Sequence, residues 1–354
     1  MRPAFLEAVD DVCAGLVEGR IAPVVAAGCA RRTTSGWERH TGGATERIFD
    51  LASLTKPMTA FAVERSRLSK DALLGDVLEE ASASVSASAS IELLLAHRAG
   101  LEAHLPLFAP LVSGGTVERS VALRRVASAR RSDASGELPR EGFAPLYSDL
   151  GYILVGEALA RREGAIDAGE VIERLVAKEQ ELGTARSLRA RAIEFDARVV
   201  PTELVDWRGG EVRGAVHDEN AWALTRDGGS GHAGMFGTVD AVLDFACEAH
   251  DHATEWMVRE RPGGTLRAGF DGKSEEGSSA GTKMGPRTFG HLGFTGTSLW
   301  IDPEANVVVV LLTNRVHPTR ENLAIRAARP IAHDALFLAA RGESSGGKAA
   351  PLRF

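Results

Sequence analysis

The chain has 354 residues, 44% of them hydrophobic and 25% charged, with a formal net charge of −7. That length can bury a large core and holds two domains or one elaborated domain, while the acidic balance and dispersed arginines argue against a nucleic-acid partner. Three widely separated cysteines, Cys13, Cys29 and Cys247, lack C-x-x-C spacing, which argues against a disulfide framework or a zinc site.

Residues 3–18 read as an amphipathic helix carrying Glu7, Asp10 and Asp11, unlike a secretory signal, and no apolar run approaches 18 residues. No membrane partner and a cytoplasmic location are therefore expected. Residues 21–29, rich in valine and alanine, predict a strand, and 33–37 a polar turn. Then comes the run Ser53-Leu54-Thr55-Lys56-Pro57 between apolar flanks. Proline is tolerated only in the first helical turn, so a helix is predicted to begin a few residues before Pro57. Residues 70–195 read as mostly helical, with apolar residues at helical spacing in 91–95, 121–126, 152–159 and 171–175. The Ala/Ser segment 81–90 is expected to be a loop whose Ser90 caps the next helix. Residues 288–301 and 306–313 predict two strands of an antiparallel hairpin joined by a turn at 302–305. A helix over 320–338 follows, and 342–354 are expected to be disordered. The order suggests an α+β fold, with a sheet assembled from both ends of the chain (1–66 and 196–341) and a helical domain (67–195) inserted.

Serine is a poor nucleophile near neutral pH and needs a group to take its proton. Residues three apart share a helix face, so Lys56 can reach the Ser53 hydroxyl, and backbone N–H groups at a helix mouth favour a developing oxyanion. Alone, the tetrad equally fits a serine cap followed by a solvated lysine, and the tail carries a second copy at Ser345 and Lys348. Only six of the 41 basic residues are lysine, so lysine at 56 runs against the habit of the chain. Both tyrosines fall in Tyr147-Ser148-Asp149-Leu150-Gly151-Tyr152, ahead of an amphipathic helix. A phenol beside a lysine ammonium would have its pKa lowered and could act as general base; the bland reading is a packed aromatic. The run from Gly290 to Gly296, containing His291, is expected within the first hairpin strand, where glycines admit a close-approaching ligand. Gly229-Ser230-Gly231-His232-Ala233-Gly234 matches a dinucleotide pattern but follows no strand-like run, and His250-Asp251-His252 lacks a complete metal-ligand set. Neither a cofactor nor a metal is expected. No G-x-S-x-G elbow occurs.

Ser53-Leu54-Thr55-Lys56, Tyr147-Ser148-Asp149 and His291-Leu292-Gly293, in that order, resemble the three motifs of the penicillin-binding, serine β-lactamase and related esterase superfamily, specifically its class C-like branch. Further likeness lies at 97–101, 201–203, 216–221, 231–236 and 312–318. The resemblance implies an antiparallel sheet flanked by the N- and C-terminal helices and packed on an all-helical domain, and it implies that Ser53 attacks a carbonyl to form an acyl-enzyme while Lys56 and Tyr147 shuttle the proton. It implies an oxyanion hole from the backbone N–H groups of Ser53 and Phe294, with Asp149, His291 and Gly293 lining the substrate site. Two departures bear on substrate. Asp149 stands where many relatives have asparagine; it can only accept hydrogen bonds, and its charge near Lys56 would keep the ammonium protonated and favour Tyr147 as base. His291 stands where many relatives have lysine, replacing a fixed cation by a group mostly neutral at pH 7. The expectation is a serine hydrolase acting on small carboxylic esters. The alternatives are a β-lactamase or D-alanyl-D-alanine carboxypeptidase, or a penicillin-binding sensor that acylates without turnover. In each case the partner is a small-molecule ester, amide or β-lactam.

Overall fold

Pro23, which has no N–H to give to a ladder, delays the first strand, so β1 covers Val25–Thr33 rather than 21–29. The structure, a computed structural model, describes residues 4–343. The remaining strands in chain order are β2 (Gly36–Gly43), β3 (Phe49–Asp50), β4 (Leu182–Thr184), β5 (Pro201–Val205), β6 (Gly210–Arg213), β7 (Met235–Gly237), β8 (Asp271–Gly272), β9 (Phe289–Leu292), β10 (Ser298–Asp302) and β11 (Val307–Thr313). Six of them form an antiparallel sheet in the order β2-β1-β11-β10-β9-β8. A small sheet β3-β7-β4 and the pair β5-β6 complete the strands.

The central strand β11 reads Val-Val-Val-Val-Leu-Leu-Thr and is buried throughout, the pattern of a strand covered on both faces. Side chains alternate across a strand. Val307, Val309 and Leu311 pack with Val9, Val12 and Leu16 of the helix Ala4–Glu18 and with Ile325, Ala328 and Leu336 of the helix Ile325–Arg341. Val308, Val310 and Leu312 face the other way, into a core shared with Val242 and Phe245 of the helix Val239–His252 and with the helical segment. Each fully buried side chain of this kind contributes about 1.5–3 kcal/mol. Both terminal helices thus lie on one face, and the site is built on the other.

Between 70 and 195 the regular structure is chiefly helical, including Ile91–Leu95, Arg119–Ala127, Asp149–Glu163 and Ala168–Leu175, but the helices are separated by long irregular stretches such as 128–148, so the expectation of a mostly helical segment is corrected. Ser90 caps the first of these as anticipated, its hydroxyl accepting from the Leu93 N–H. This segment also supplies β4, which pairs with β7.

Three further expectations are corrected. The polar stretch at 33–37 is only the tip of a hairpin, and β2 follows from Gly36; as a half-exposed edge strand of polar residues it has no hydrophobic alternation to reveal it. Residues 288–301 are not one strand. The Gly293 N–H donates to the Thr297 carbonyl at 2.7 Å and Gly296 adopts φ +104°, so the chain reverses and β9 pairs back on β10. His291 therefore lies on β9, while Gly293 and Phe294 belong to the turn. The last helix starts at Ile325, not 320, because Arg320 is tied to Glu203 and Glu219 outside it. The turn at 302–305 is as expected, with Asp302 Oδ1 accepting from the N–H groups of Glu304 and Ala305. The disordered-tail expectation and the Ser345–Lys348 pair lie, from residue 344 onward, outside the described residues. Among the described residues no helix is long and apolar enough to cross a membrane.

Candidate active site

The approach to Ser53 is a forced bend. Asp50, closing β3, accepts the Ala52 N–H on Oδ1 at 2.8 Å and the His217 N–H on Oδ2 at 2.7 Å. Ala52 then takes φ +49°, a left-handed conformation that costs a non-glycine residue roughly 1–2 kcal/mol. A 3₁₀ turn, Ala52–Leu54, runs into the helix Thr55–Arg65 with Pro57 in its first turn. No side chain caps that helix, so Ser53 is not its cap. One turn on, Lys56 is 0% exposed. Its Nζ donates to Ser53 Oγ at 2.9 Å and to the His232 carbonyl at 3.4 Å, and pairs with Asp149 Oδ1 at 2.7 Å. It also lies over the Tyr147 and Tyr152 rings, 4.8 and 5.5 Å from their centroids.

Tyr147 and Asp149 flank a helix start. Ser148 is the cap of Asp149–Glu163: its Oγ accepts from the Leu150 N–H and donates to the Glu102 carbonyl at 2.6 Å. That fixes Asp149 in the first turn, beside Lys56. Tyr147 is 37% exposed as a residue, while its hydroxyl interacts with Lys56 and Ser53. The ring stacks on His97 at 4.8 Å. The Ser148 N–H donates to His97 Nδ1 at 3.0 Å, so that nitrogen carries no proton.

His291 on β9 approaches from the sheet side, its ring centroid 5.9 Å from that of Tyr147. Nδ1 lies 2.8 Å from the Leu292 carbonyl; a carbonyl can only accept, so Nδ1 holds the proton and Nε2 keeps a lone pair. The following turn docks on the segment that leads to Ser53. Thr295 Oγ1 donates to the Asp50 carbonyl and Thr297 Oγ1 to that of Leu51. A Cβ at Gly293 would stand 1.9 Å from Thr297 Oγ1 and 2.8 Å from the Leu51 carbonyl oxygen, so only glycine permits this approach. Phe294 is half exposed, its ring stacked on His217 at 5.6 Å and its carbonyl held by the Arg315 guanidinium at 2.7 and 3.0 Å.

Burial alone would pull the Lys56 pKa down, but the Asp149 carboxylate overrides it and holds the ammonium charged. Asp149 in turn is pushed up by burial and down by Lys56, with a net fall. The charge expected near Lys56 is thus present, in direct contact. The expectation for Tyr147 is reversed: burial raises its pKa by more than Lys56 lowers it, so the resting residue is a phenol. With Tyr147 neutral, Asp149 is the anion that keeps Lys56 protonated. Burial, reinforced by Lys56, drives both His291 and His97 down to about 3, so both are neutral.

The structure brings Ser53, Lys56, Tyr147, Asp149 and His291 into one cluster and places Gly293 and Phe294 on the adjoining turn. Sequence reasoning gave no role to four other groups. His97 supports Tyr147 and Ser148 from a left-handed backbone position, φ +60°. The Asp218–His232 pair, 2.8 Å, adds a second carboxylate whose charge acts on Lys56 and Asp149. Arg315 holds the Phe294 carbonyl. Arg329, on the last helix, donates to the carbonyls of Gly293 (2.9 Å) and Thr297 (3.0 Å). The runs 97–101, 216–221, 231–236 and 312–318 carried a signal, as places of family likeness without assigned chemistry, and Arg329 lay in none of them.

Solved structures share the architecture over nearly the whole chain. EstCE1, a hydrolase with promiscuous acyltransferase activity, superposes with a TM-score of 0.63 at 20% identity, covering 92% of this chain and 98% of its own. A class C β-lactamase from Rhodobacter sphaeroides gives 0.63 at 15% identity, covering 93% and 99%. A penicillin-binding protein homologue from Caulobacter crescentus gives 0.63 at 18%, covering 94% and 98%. At these identities the likeness is one of fold. Among curated proteins, a "Putative D-alanyl-D-alanine carboxypeptidase" of Salmonella heidelberg (strain SL476) is 26% identical over 212 residues, 50% of this chain and 46% of its own. One of the same name from Salmonella typhi is 34% identical over 119 residues, 29% and 27% of the two chains. The chain therefore spans about half the length, or less, of the curated relatives it matches. The sequence profile of the Beta-lactamase family matches residues 16–333, and with the Ser53–Lys56 pair meeting Tyr147 beside an antiparallel sheet, the chain belongs to that family.

Proposed function

We propose that the protein is a serine hydrolase that forms an acyl-enzyme on Ser53 and acts on small, uncharged carboxylic esters. The observation that carries the substrate choice is the charge state of the cleft. His291 is 4% exposed and neutral, and Lys56 is fully buried and occupied by Asp149. The nearest other cations are also engaged: Arg315 by the carbonyls of Phe294, Arg320 and Asn322, and Arg320 by Glu203 and Glu219. Each of these cations is already hydrogen-bonded, so a substrate carboxylate beside Asp149 and Asp218 would have to displace those partners, and a negative charge poorly paired in such surroundings is costly.

Ser53 Oγ attacks the ester carbonyl carbon. Because Tyr147 rests as a phenol and Lys56 as an ammonium, the proton moves by a double transfer. As the tetrahedral intermediate collapses, the Ser53 proton passes to Tyr147 Oη and the phenolic proton passes to the departing alkoxide oxygen, so neither residue ends with a changed charge. Lys56 holds Ser53 Oγ in place and stabilises negative charge building on either oxygen. Water reverses the sequence to release the acid. The N–H groups of Ser53 and Phe294 would bind the carbonyl oxygen, and each such donor is worth about 3–4 kcal/mol in the transition state.

The names of the curated relatives favour a second reading, a D-alanyl-D-alanine carboxypeptidase, whose substrate ends in a carboxylate. Burst and steady-state hydrolysis of p-nitrophenyl acetate, a chromogenic cephalosporin and a D-Ala-D-Ala peptide separates the readings, with intact-mass detection of a fluorophosphonate adduct. Ester turnover well above the other two, lost in Ser53→Ala together with the adduct, is expected. Faster peptide or cephalosporin turnover would replace the ester reading, a burst without turnover would indicate a sensor, and equal rates for wild type and Ser53→Ala would remove the nucleophile assignment.

A further inference from the structure

A second concave site, sharing no lining residue with the Ser53 cluster, is built around β8. The chain from 260 to 275 folds as a tight hairpin, with the Arg267 N–H donating to Phe270 O and the Gly272 N–H to Thr265 O, and with 284–286 it encloses a cavity of about 690 Å³. Arg261, Arg267 and Lys273 line it together with Thr265, Ser274 and Met284, while the carboxylates Glu260 and Glu275 stand at its exposed rim. No aromatic ring lines it.

The arginines on and behind its wall are buried and share few buried carboxylates. Arg98, Arg261 and Arg267 are 4%, 6% and 5% exposed in a chain whose net charge is −7. The buried carboxylate among them, Glu92, is shared: it meets Arg259 and Arg261 at 2.7 Å and Lys70 at 3.4 Å. Arg98 spends its guanidinium on the carbonyls of Glu141, Phe143 and Pro262. Among the described residues the one ion pair of Arg267 is with Glu260, at 3.5 Å, and that side chain is 79% exposed. Lys273 donates only to the Met284 carbonyl. Asp271 is the other carboxylate that acts on Arg267, and burial raises its carboxyl above the ordinary value. Burial and mutual repulsion lower the pKa of all three arginines. Buried guanidiniums that share few buried carboxylates are costly unless something anionic completes them, and the planar fork of arginine suits carboxylate and phosphate oxygens.

We propose that this cavity binds a small, multiply charged oxyanion, with Arg267 and Lys273 as its principal contacts. The absence of aromatic walls disfavours a nucleobase and leaves a compact phosphate or polycarboxylate as the fitting shape. The walls reach the Ser53 cluster: a Cβ on Gly263 would touch Pro145, two residues before Tyr147, and Asp271 pairs with Gly290, next to His291.

Isothermal titration of inorganic phosphate and of citrate into the full chain, at constant ionic strength set with chloride, tests the proposal. Saturable binding of at least one is expected, unchanged in Ser53→Ala and weakened about tenfold or more in Arg267→Met, as loss of a charge-assisted contact requires. Lys273→Met, at a half-buried position, gives the same readout should Arg267→Met not fold. Phosphate binding alone would assign a phosphate-bearing ligand, and citrate alone a polycarboxylate. No saturable heat with either at millimolar concentration, or binding unaffected by both substitutions, would overturn the proposal. Binding lost in Ser53→Ala would move it to the cleft and overturn it equally.

Discussion

Replacing Asp149 by asparagine removes the charge that the structure places 2.7 Å from Lys56 and keeps the shape. At that separation and an effective dielectric near 20, the attraction lost is about 6 kcal/mol; the asparagine carbonyl oxygen returns about 1 kcal/mol by accepting from Nζ. The sign is unambiguous. Burial already disfavours the ammonium and Asp149 is the charge that overrides it, so Asp149→Asn lowers the Lys56 pKa by several kcal/mol of lost stabilisation. An ionisation absent from the wild type should then enter the neutral-to-alkaline part of the kcat/KM profile for p-nitrophenyl acetate, with the rate rising as Lys56 loses its proton and becomes able to take one from Ser53. The same change supplies an amide donor, so acylation by a chromogenic cephalosporin should rise. Stopped-flow bursts measure acylation, and rates across pH measure the ionisation. A variant whose pH profile superimposes on that of the wild type and whose cephalosporin burst is unchanged would refute this account of Asp149.

Stability should fall steeply on the acid side. His97 and His291 are held at about 3 and His333 at about 4 in the folded chain by burial, against about 6.5 when unfolded. Folded-state pKa values depressed in this way mean that the unfolded chain binds more protons; stability is full above pH 6.5 and is lost as pH falls toward 4 and 3. At pH 5 the loss is about 2 kcal/mol per histidine, roughly 6 kcal/mol for the three, against a typical total of about 5–15 kcal/mol. Urea midpoints at pH 7.5 and pH 5 check this, and equal midpoints would count against neutral buried histidines. Arg329→Met removes two donors to the turn that carries Phe294. It also removes a buried guanidinium whose pKa burial pulls to about 9. Stability should therefore change little, while kcat/KM and the rate of fluorophosphonate labelling fall about tenfold, or about 1.4 kcal/mol. Unchanged rates would show that the turn does not depend on Arg329.

What could be read before folding was set by local rules. Pro57 placed the start of its helix, Ser90 marked a cap, and the Val-rich run 306–313 announced a strand, because each signal depends on neighbours within a turn or two. The short-range pairing of Ser53 with Lys56 belongs to the same class, since three residues of helix suffice to bring the two side chains together. The β9–β10 reversal was missed because Gly293 looks like any strand glycine until the Leu51 carbonyl is packed against it. Strand β2 was missed because edge strands need no apolar alternation.

The sequence by itself determined which groups could do chemistry here: one serine with one lysine a helical turn away, two tyrosines in a single hexapeptide, and a histidine where a cation would otherwise stand. Their charge states were decided by the tertiary structure alone. Lys56 is an ammonium because Asp149, 93 residues along the chain, closes on it; Tyr147 is a phenol because burial outweighs that ammonium; His291 is neutral because β9 carries it into the same dry site. A pKa depends on solvent exclusion and on charges within a few ångströms, and both come from contacts between segments far apart in the chain.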